Sequence, residues 1–481
     1  MAERTLSSGR VRKTVFLMMA ASGTLAAQPA SPPIPVTIAQ SVTIAQSVTI
    51  AQAVEDALRN YPAIRVSEDE MNAAAAGIRL AQTAYLPRVD GIAQLSRATR
   101  NNVSGLMLPE SVIPSMSGPV LGTNNLGSTW GSAAGGLVTW QPFDFGLRTA
   151  NVAGATAARD RAQAVLKRTR YDVSVATADA FLTVIAAQQT AEAARAAVDR
   201  WQVLLTSTHA QVAAQLRPGA DESRVLAELA QARTQVAQAE QTIAVARSTV
   251  SQFVGIDPAE LTLNADKVVA ELPPDTPQPP LDAAANPLAA EQSAVIAQTR
   301  SRLRALERTD YPQFFVEGSV SARGTGLETS GGRLGGWNGL APTYQNYALG
   351  LTVVFPFMDR FAIHEQQVAQ VASVRAGEAQ YNLIALNLRA QFNAALATLA
   401  GARRVAANTP VEVTAARSAL EQATARYQSG LAPIDDVAQA QRLVVQAQID
   451  NSLARLNVWR ALLQIATARG DLQPFLAEAS Q

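Results

Sequence analysis

Prolines and glycines recur along this chain at distances that fit two copies of one unit. Pro62 to Pro87 spans 25 residues and so does Pro287 to Pro312; Pro218 to Gly255 spans 37 and so does Pro433 to Gly470. Pro142 to Pro218 spans 76 residues and Pro356 to Pro433 spans 77, whereas the stretch between them and the preceding prolines differs, 55 residues from Pro87 to Pro142 against 44 from Pro312 to Pro356. Helices and strands keep their lengths under drift while loops do not, so the chain reads as a duplicated fold with variable loops. A length of 481 residues therefore need not mean several unrelated domains.

Each copy has the same order: helix, strand, loop, strand, long helix, turn, helix. The first copy is expected over 53–271, with strands about 88–100 and 130–142, a long helix about 146–216 and a helix 219–254; a Pro-rich linker, 272–285, follows. The second copy is expected over 286–470, with strands about 312–323 and 344–357, a long helix about 359–429, a helix 434–469, and a tail 471–481 after it. Pro62 and Pro287 suit the first turn of a helix, and Pro87 and Pro312 break it before the strands begin.

The strands alternate. Val89, Gly91, Ala93 and Leu95 oppose Asp90, Gln94 and Ser96; Trp130, Ala134, Val138 and Trp140 share a face; Phe314, Val316, Val320 and Ala322 oppose Gln313, Glu317, Ser319 and Ser321; Tyr347, Leu349, Leu351, Val353 and Phe355 share another. Such strands could form a water-soluble sheet with one face on a core. The aromatic spacing favours a membrane: ten residues from Trp130 to Trp140 is about 33 Å of strand, or roughly 24 Å of height at a 45° tilt, the apolar band of an outer-membrane barrel. Trp130, Trp140, Tyr347 and Phe355 are the expected aromatic belt. The apolar face falls on even positions in 130–140 and on odd ones in 347–355, which a bulge in one strand would reconcile. Four strands cannot close a barrel, since about eight is the smallest number with a filled interior, so several chains must contribute.

The helical stretches from Gly146 to Leu216 and from Asp359 to Ser429 are interrupted only by Pro410; each gives a path of roughly 100 Å at about 1.5 Å per residue. In the second copy Val437, Val444, Asn451, Val458 and Ile465 recur every seven residues, with Ala440, Ala447, Ala454, Ala461 and Ala468 between them. The first copy repeats the pattern with Leu229, Val236, Ile243 and Val250 and with Ala232, Ala239 and Ala246. A strict seven-residue period specifies coiled-coil packing, and alanine knobs let the backbones approach closely.

Composition and the amino terminus narrow the setting. Charged residues make up 16% of the chain, against about a quarter in ordinary globular domains. With 40 Lys plus Arg against 39 Asp plus Glu, no basic footprint for nucleic acid stands out. No cysteine is present, which removes disulfides, a thiolate nucleophile and a lipoprotein anchor. Arg10, Arg12 and Lys13, the apolar run Val15 to Ala21 and the small residues Leu25, Ala26 and Ala27 have the layout of a secretory signal, expected over 1–28. A low-complexity segment, 29–52, carries a six-residue unit repeated in "TIAQSVTIAQSVTIAQAV". Beyond the signal no apolar run is long enough for a transmembrane helix, so a membrane location requires a β-barrel.

Catalytic signatures are poor. His364-Glu365 begins like a zinc motif but Val368 stands where the second histidine belongs, and His209 is read as a helix-surface residue. The glycines from Gly331 to Gly339 lack the strand-to-helix context of a phosphate loop and fit a mobile extracellular loop. Neither cofactor nor metal is implied.

These features together resemble the TolC family of outer-membrane efflux proteins. The residues that carry the resemblance are "NYP" and "ANP" opening the first helices, "YLP" and "DYP" before the first strands, "WQPFDFG" and "VFPFMD" after the second strands, and "RYQSGLAPIDDVAQAQ" at the second-copy turn. The resemblance implies a mainly α fold with a membrane β-barrel: a homotrimer with one twelve-stranded barrel in the outer-membrane lipid and a long periplasmic α-helical coiled-coil tunnel. It implies an exit duct for a tripartite pump or a type I secretion system, with a periplasmic adaptor and an inner-membrane transporter as partners, and no catalysis. Carried over singly, Leu216, Arg217, Pro218 and Gly219 with Gly430, Leu431 and Ala432 correspond to the adaptor-contacting tip. Asp436, its first-copy equivalent Asp221, and Tyr427 correspond to the periplasmic gate, with Asp435 and Glu222 beside them. Gln439 and Ala432 depart from the family's gate, where an acidic residue and an arginine stand. Three Asp436 side chains around a narrow axis would attract cations; an Asp at that place is equally a partner for a helix N-terminus. An exported trimeric coiled-coil spacer without a pore would explain the heptads but leave the paired strands unexplained.

Overall fold

The computed structural model describes residues 47–99, 127–328, 330 and 332–480. The signal and most of the upstream repeats lie outside the described residues, as do residues 100–126 between the first two long strands, Thr329 and Gly331. The third repeat unit starts the fold: Thr49 accepts a hydrogen bond from the Gln52 amide while Gln52 Oε1 accepts one from the Thr49 amide, a capping box that opens α1, Ile50–Asn60. Just before it, β1 (Ser47–Val48) pairs in parallel with β4 (Thr262–Leu263).

The two copies appear as α2 (Pro62–Thr83), β2 (Arg88–Thr99), β3 (Ser128–Phe143), α3 (Leu147–Ala213) and α4 (Gly219–Val254), then α6 (Pro287–Leu306), β5 (Gln313–Thr325), β6 (Tyr344–Val354), α7 (Asp359–Gln428) and α8 (Ile434–Arg469). Between them lies the short α5, Asp266–Ala270. The last segment, expected only as a tail, forms a further helix, α9 (Gln473–Ser480), whose Phe475, Leu476 and Ala479 are buried. No helix of the described residues is long and apolar enough to cross a membrane.

β2, β3, β5 and β6 form one antiparallel sheet in that order. Residues paired across an antiparallel ladder share a face, so Val89, Val138, Gly318 and Leu349 lie together, as do Gly91, Gly136, Val320 and Tyr347. The even positions of β3 and the odd positions of β6 thus belong to one apolar face. The parity difference has its cause at the α3 end of β3, where Trp140 pairs with Val316 but Phe143 with Phe314, so Gln141 and Pro142 stand against the single residue Phe315 and the strand bulges. On this face Val89, Leu95, Val320, Tyr347, Leu349 and Leu351 are exposed; the opposite face carries Asp90, Gln94, Glu317 and Arg323.

The long helices pack as coil pairs, α3 with α4 and α7 with α8. Val437, Val444, Val458, Ile465 and the five alanines of the α8 seam are buried, and the heptad's one polar member, Asn451, accepts a hydrogen bond from Thr409 on α7 at 3.0 Å. In α4, Leu229, Val250 and the three seam alanines are buried while Val236 and Ile243 are half-buried. Where the pairs end, each copy makes the same joint. Gly255 and Gly470 stop α4 and α8 at φ 80° and 79°, conformations that glycine adopts without strain. Asn60 then donates to the Val254 carbonyl, and Asn286 to the Thr467 and Ala468 carbonyls. Beside these joints sits the largest core, where Phe181, Leu182 and Ile185 of α3 meet Trp459 and Leu463 of α8, Phe475 of α9 and Val250 and Val254 of α4.

Candidate functional site at the helical tip

At the far end of the coil pairs, two turns share one backbone. α3 ends with Leu216 N bonded to Gln211 O (2.9 Å) and Gln215 N to Val212 O (2.9 Å); α7 ends with Leu431 N bonded to Arg426 O (2.8 Å) and Gly430 N to Tyr427 O (2.9 Å). This is one pattern of helix termination twice over, and in both cases it needs a left-handed residue. Gly430 takes that conformation at φ 79°, and Gln215 takes it at φ 61° despite its side chain. Pro218 and Pro433 then open α4 and α8 in extended conformation, with Asp221 N bonded to Pro218 O and Asp436 N to Pro433 O. Leu216 and Leu431, 75% and 72% exposed, give each turn an apolar point; Pro218, Gly219 and Gly430 are exposed as well.

The side chains break the equivalence. Tyr427 is 1% exposed, packed among Trp201, Val225, Leu229, Ile434 and Val437, whereas Val212 occupies its place in the first copy and is half-buried. Tyr427 Oη donates to Asp221 Oδ2 at 3.0 Å. Arg217 lies with its guanidinium 4.4 Å from the centre of the Tyr427 ring and donates to the Tyr427 carbonyl. Burial, with the Asp221 carboxylate accepting the phenolic proton, pushes the Tyr427 hydroxyl above its ordinary range. Ala432, where the first copy has Arg217, is buried and carries no such group.

Among the acidic residues singled out from sequence, the structure brings Asp221 and Tyr427 together and leaves Asp436 apart: Asp436 is exposed, with no side-chain hydrogen bond or ion pair among the described residues. Asp435 meets Arg224 of α4 at 3.3 Å, and Glu222 meets Nδ1 of the exposed His209 at 2.7 Å. One charged cluster near the tip has little mark in the sequence. Glu228, buried on α4, faces Arg224 at 3.6 Å and Arg442 of α8 at 3.8 Å, so a short ladder of charges joins the two coil pairs behind the turns. Its only sequence signal was an acidic residue directly before the heptad position Leu229.

At the opposite end, Trp140 donates from Nε1 to the Tyr85 carbonyl at 3.1 Å, Tyr347 is 87% exposed, and Phe355 lies just past β6, stacked on Phe357 with ring centres 5.5 Å apart. Trp130 is half-buried, with the Arg97 guanidinium 5.2 Å from its ring centre. In the described part of the β5–β6 loop, Gly326 N bonds to Trp130 O and Arg333 to Ser128 O, fastening it to the end of β3.

The outer-membrane channel OprN has the same fold, with a TM-score of 0.69 and 18% identity over 88% of this chain and 89% of that one. The CmeC outer membrane channel of Campylobacter jejuni gives a TM-score of 0.68 at 13% identity over 90% of this chain and 89% of that one. The outer membrane protein VceC of Vibrio cholerae gives 0.67 at 16% identity over 88% and 96%. No curated protein sequence matches the chain at a significant level. The family described as outer membrane efflux protein matches residues 53–255 and 282–471, the two copies without the linker between them. The duplicated coil pairs, the sheet with one apolar face and this match over both copies agree: the chain belongs to the outer membrane efflux protein family.

Proposed function

We propose that three copies of the chain close one barrel of twelve strands in the outer membrane and one helical tunnel in the periplasm, and that the tip described above is the tunnel's gate. The family role itself is efflux across the outer membrane, with the sheet in the membrane and the coil pairs in the periplasm. The observation that carries the assembly is the open sheet: among the described residues β2 and β6 each pair with one strand only, leaving two edges of 12 and 11 residues beside an exposed apolar face. Unpaired backbone groups cannot face lipid, and long flat edges in water invite aggregation, so such a sheet is stable only when each β2 edge meets the β6 edge of a neighbour.

The duct is passive, the exit of a tripartite efflux pump or of a type I secretion system. Leu216 and Leu431 at the points of the turns suit the apolar contacts of a periplasmic adaptor, which links the duct to an inner-membrane transporter. Asp436, exposed at the start of α8 and repeated by symmetry, forms the acidic constriction that favours cations, while Asp221 and Tyr427 hold the two coil pairs of one protomer together. Purified protein in a planar bilayer tests the reading: it should conduct ions, and its detergent particle should carry three chains. A non-conducting trimer would instead fit a coiled-coil spacer of the envelope.

A further inference from the structure

Arg217 makes three contacts that its turn does not need for its own fold. Its guanidinium covers the Tyr427 ring, a hydrogen bond runs to the Tyr427 carbonyl, and its charge stands at the C-terminal end of α7, where the helix dipole is negative. All three reach from the first copy to the second, and none is reciprocated, because the matching positions hold Ala432 and Val212. Tyr427 is thereby gripped from two sides by the same turn, at its hydroxyl by Asp221 and over its ring and carbonyl by Arg217.

We propose that Arg217 is a positioning residue of the tip, clamping the second-copy turn to the first-copy turn within one protomer and thereby setting how readily the two turns part. The proposal rests on the reading of the tip as the closed end of a conduit. A planar guanidinium can lie flat on the ring while one of its N–H groups reaches the carbonyl. A lysine ammonium supplies the charge at the helix end without that fit. Arg217 is therefore an internal fastener, and the adaptor meets the leucines beside it.

The test is single-channel recording of the full-length trimer in planar bilayers, for the wild type, Arg217→Ala and Arg217→Lys, with the heat stability of the trimer followed in parallel. Arg217→Ala should raise the occupancy of the high-conductance state about tenfold or more with the trimer intact, and Arg217→Lys should fall between the two. In a Tyr427→Ala background, Arg217→Ala should add little, since its partner is gone. Equal occupancy in the wild type and Arg217→Ala, or complete restoration by lysine, overturns the clamp while leaving the conduit standing. Absence of any current from the wild type overturns the conduit reading instead.

Discussion

The turn after α3 and the turn after α7 follow one backbone path, bond for bond, and yet only one of them is gripped by the other. The first-copy turn supplies Arg217 and Asp221, and the second-copy turn supplies Tyr427, which both of them hold. Duplication repeats what a backbone requires, namely a left-handed residue, an extended proline and a helix start. It does not require the side chains that face each other across the pseudo-repeat to stay alike, because those positions have different neighbours in each copy. The site therefore lies where the copies diverged, and the scaffold where they did not.

Exchanging the pair Tyr427 and Val212 for alanine should widen the contrast most. Tyr427→Ala removes a buried ring and should cost about 3–5 kcal/mol, whereas Val212→Ala, at a half-buried site, should cost under about 1 kcal/mol; chemical unfolding combined with amide exchange at the tip separates them. The aspartates come next. Asp221→Ala leaves the buried Tyr427 hydroxyl unpaired and should lose about 1–3 kcal/mol. Asp436→Ala should lie within about 0.5 kcal/mol of wild type but weaken cation preference in reversal-potential measurements, and an unchanged preference would end its assignment to the gate.

The left-handed positions give a smaller and opposite pair. Gly430→Ala should destabilise the second turn by about 1–2 kcal/mol, while Gln215→Gly should relieve strain in the first and leave stability unchanged or raised by under about 1 kcal/mol; melting curves of the two variants should move apart. The least effect is in pH. The folded state holds the Tyr427 phenol protonated beyond its unfolded value of about 10, so its contribution is complete below that pH and is lost as the pH rises through the raised folded value. Wild-type tip exchange should therefore quicken above about pH 10 more than that of Tyr427→Phe, which has no phenol to titrate.

Much of the scaffold was legible because its signals are local or periodic. Pro62 and Pro287 sit at helix starts, the seams of α4 and α8 follow from a seven-residue spacing, and the strand faces follow from alternation, each a property of residues close in sequence. The expected fold of the TolC family is borne out by the coil pairs, the four-stranded sheet and the likeness to OprN, CmeC and VceC. The bulge at Trp140 to Phe143 was legible only as a conflict of parity, since an extra residue leaves no mark of its own. The helix after Gly470 was missed for a related reason: eight residues carry too short a pattern to declare themselves, and α9 is stabilised by Trp459 and the core it covers.

The sequence by itself determined the duplication, the kinds of element and their order, because steric limits at proline and glycine and the periods of helix and strand act within a few residues. Only the tertiary structure decided that Arg217, Asp221 and Tyr427 share one site, that Glu228 stands between Arg224 and Arg442, and that Asp436 stands free of the cluster. Those contacts join positions up to 214 residues apart, Glu228 and Arg442, and which ones form depends on how two coil pairs pack against each other, a balance of burial and charge that nothing in the local chain encodes.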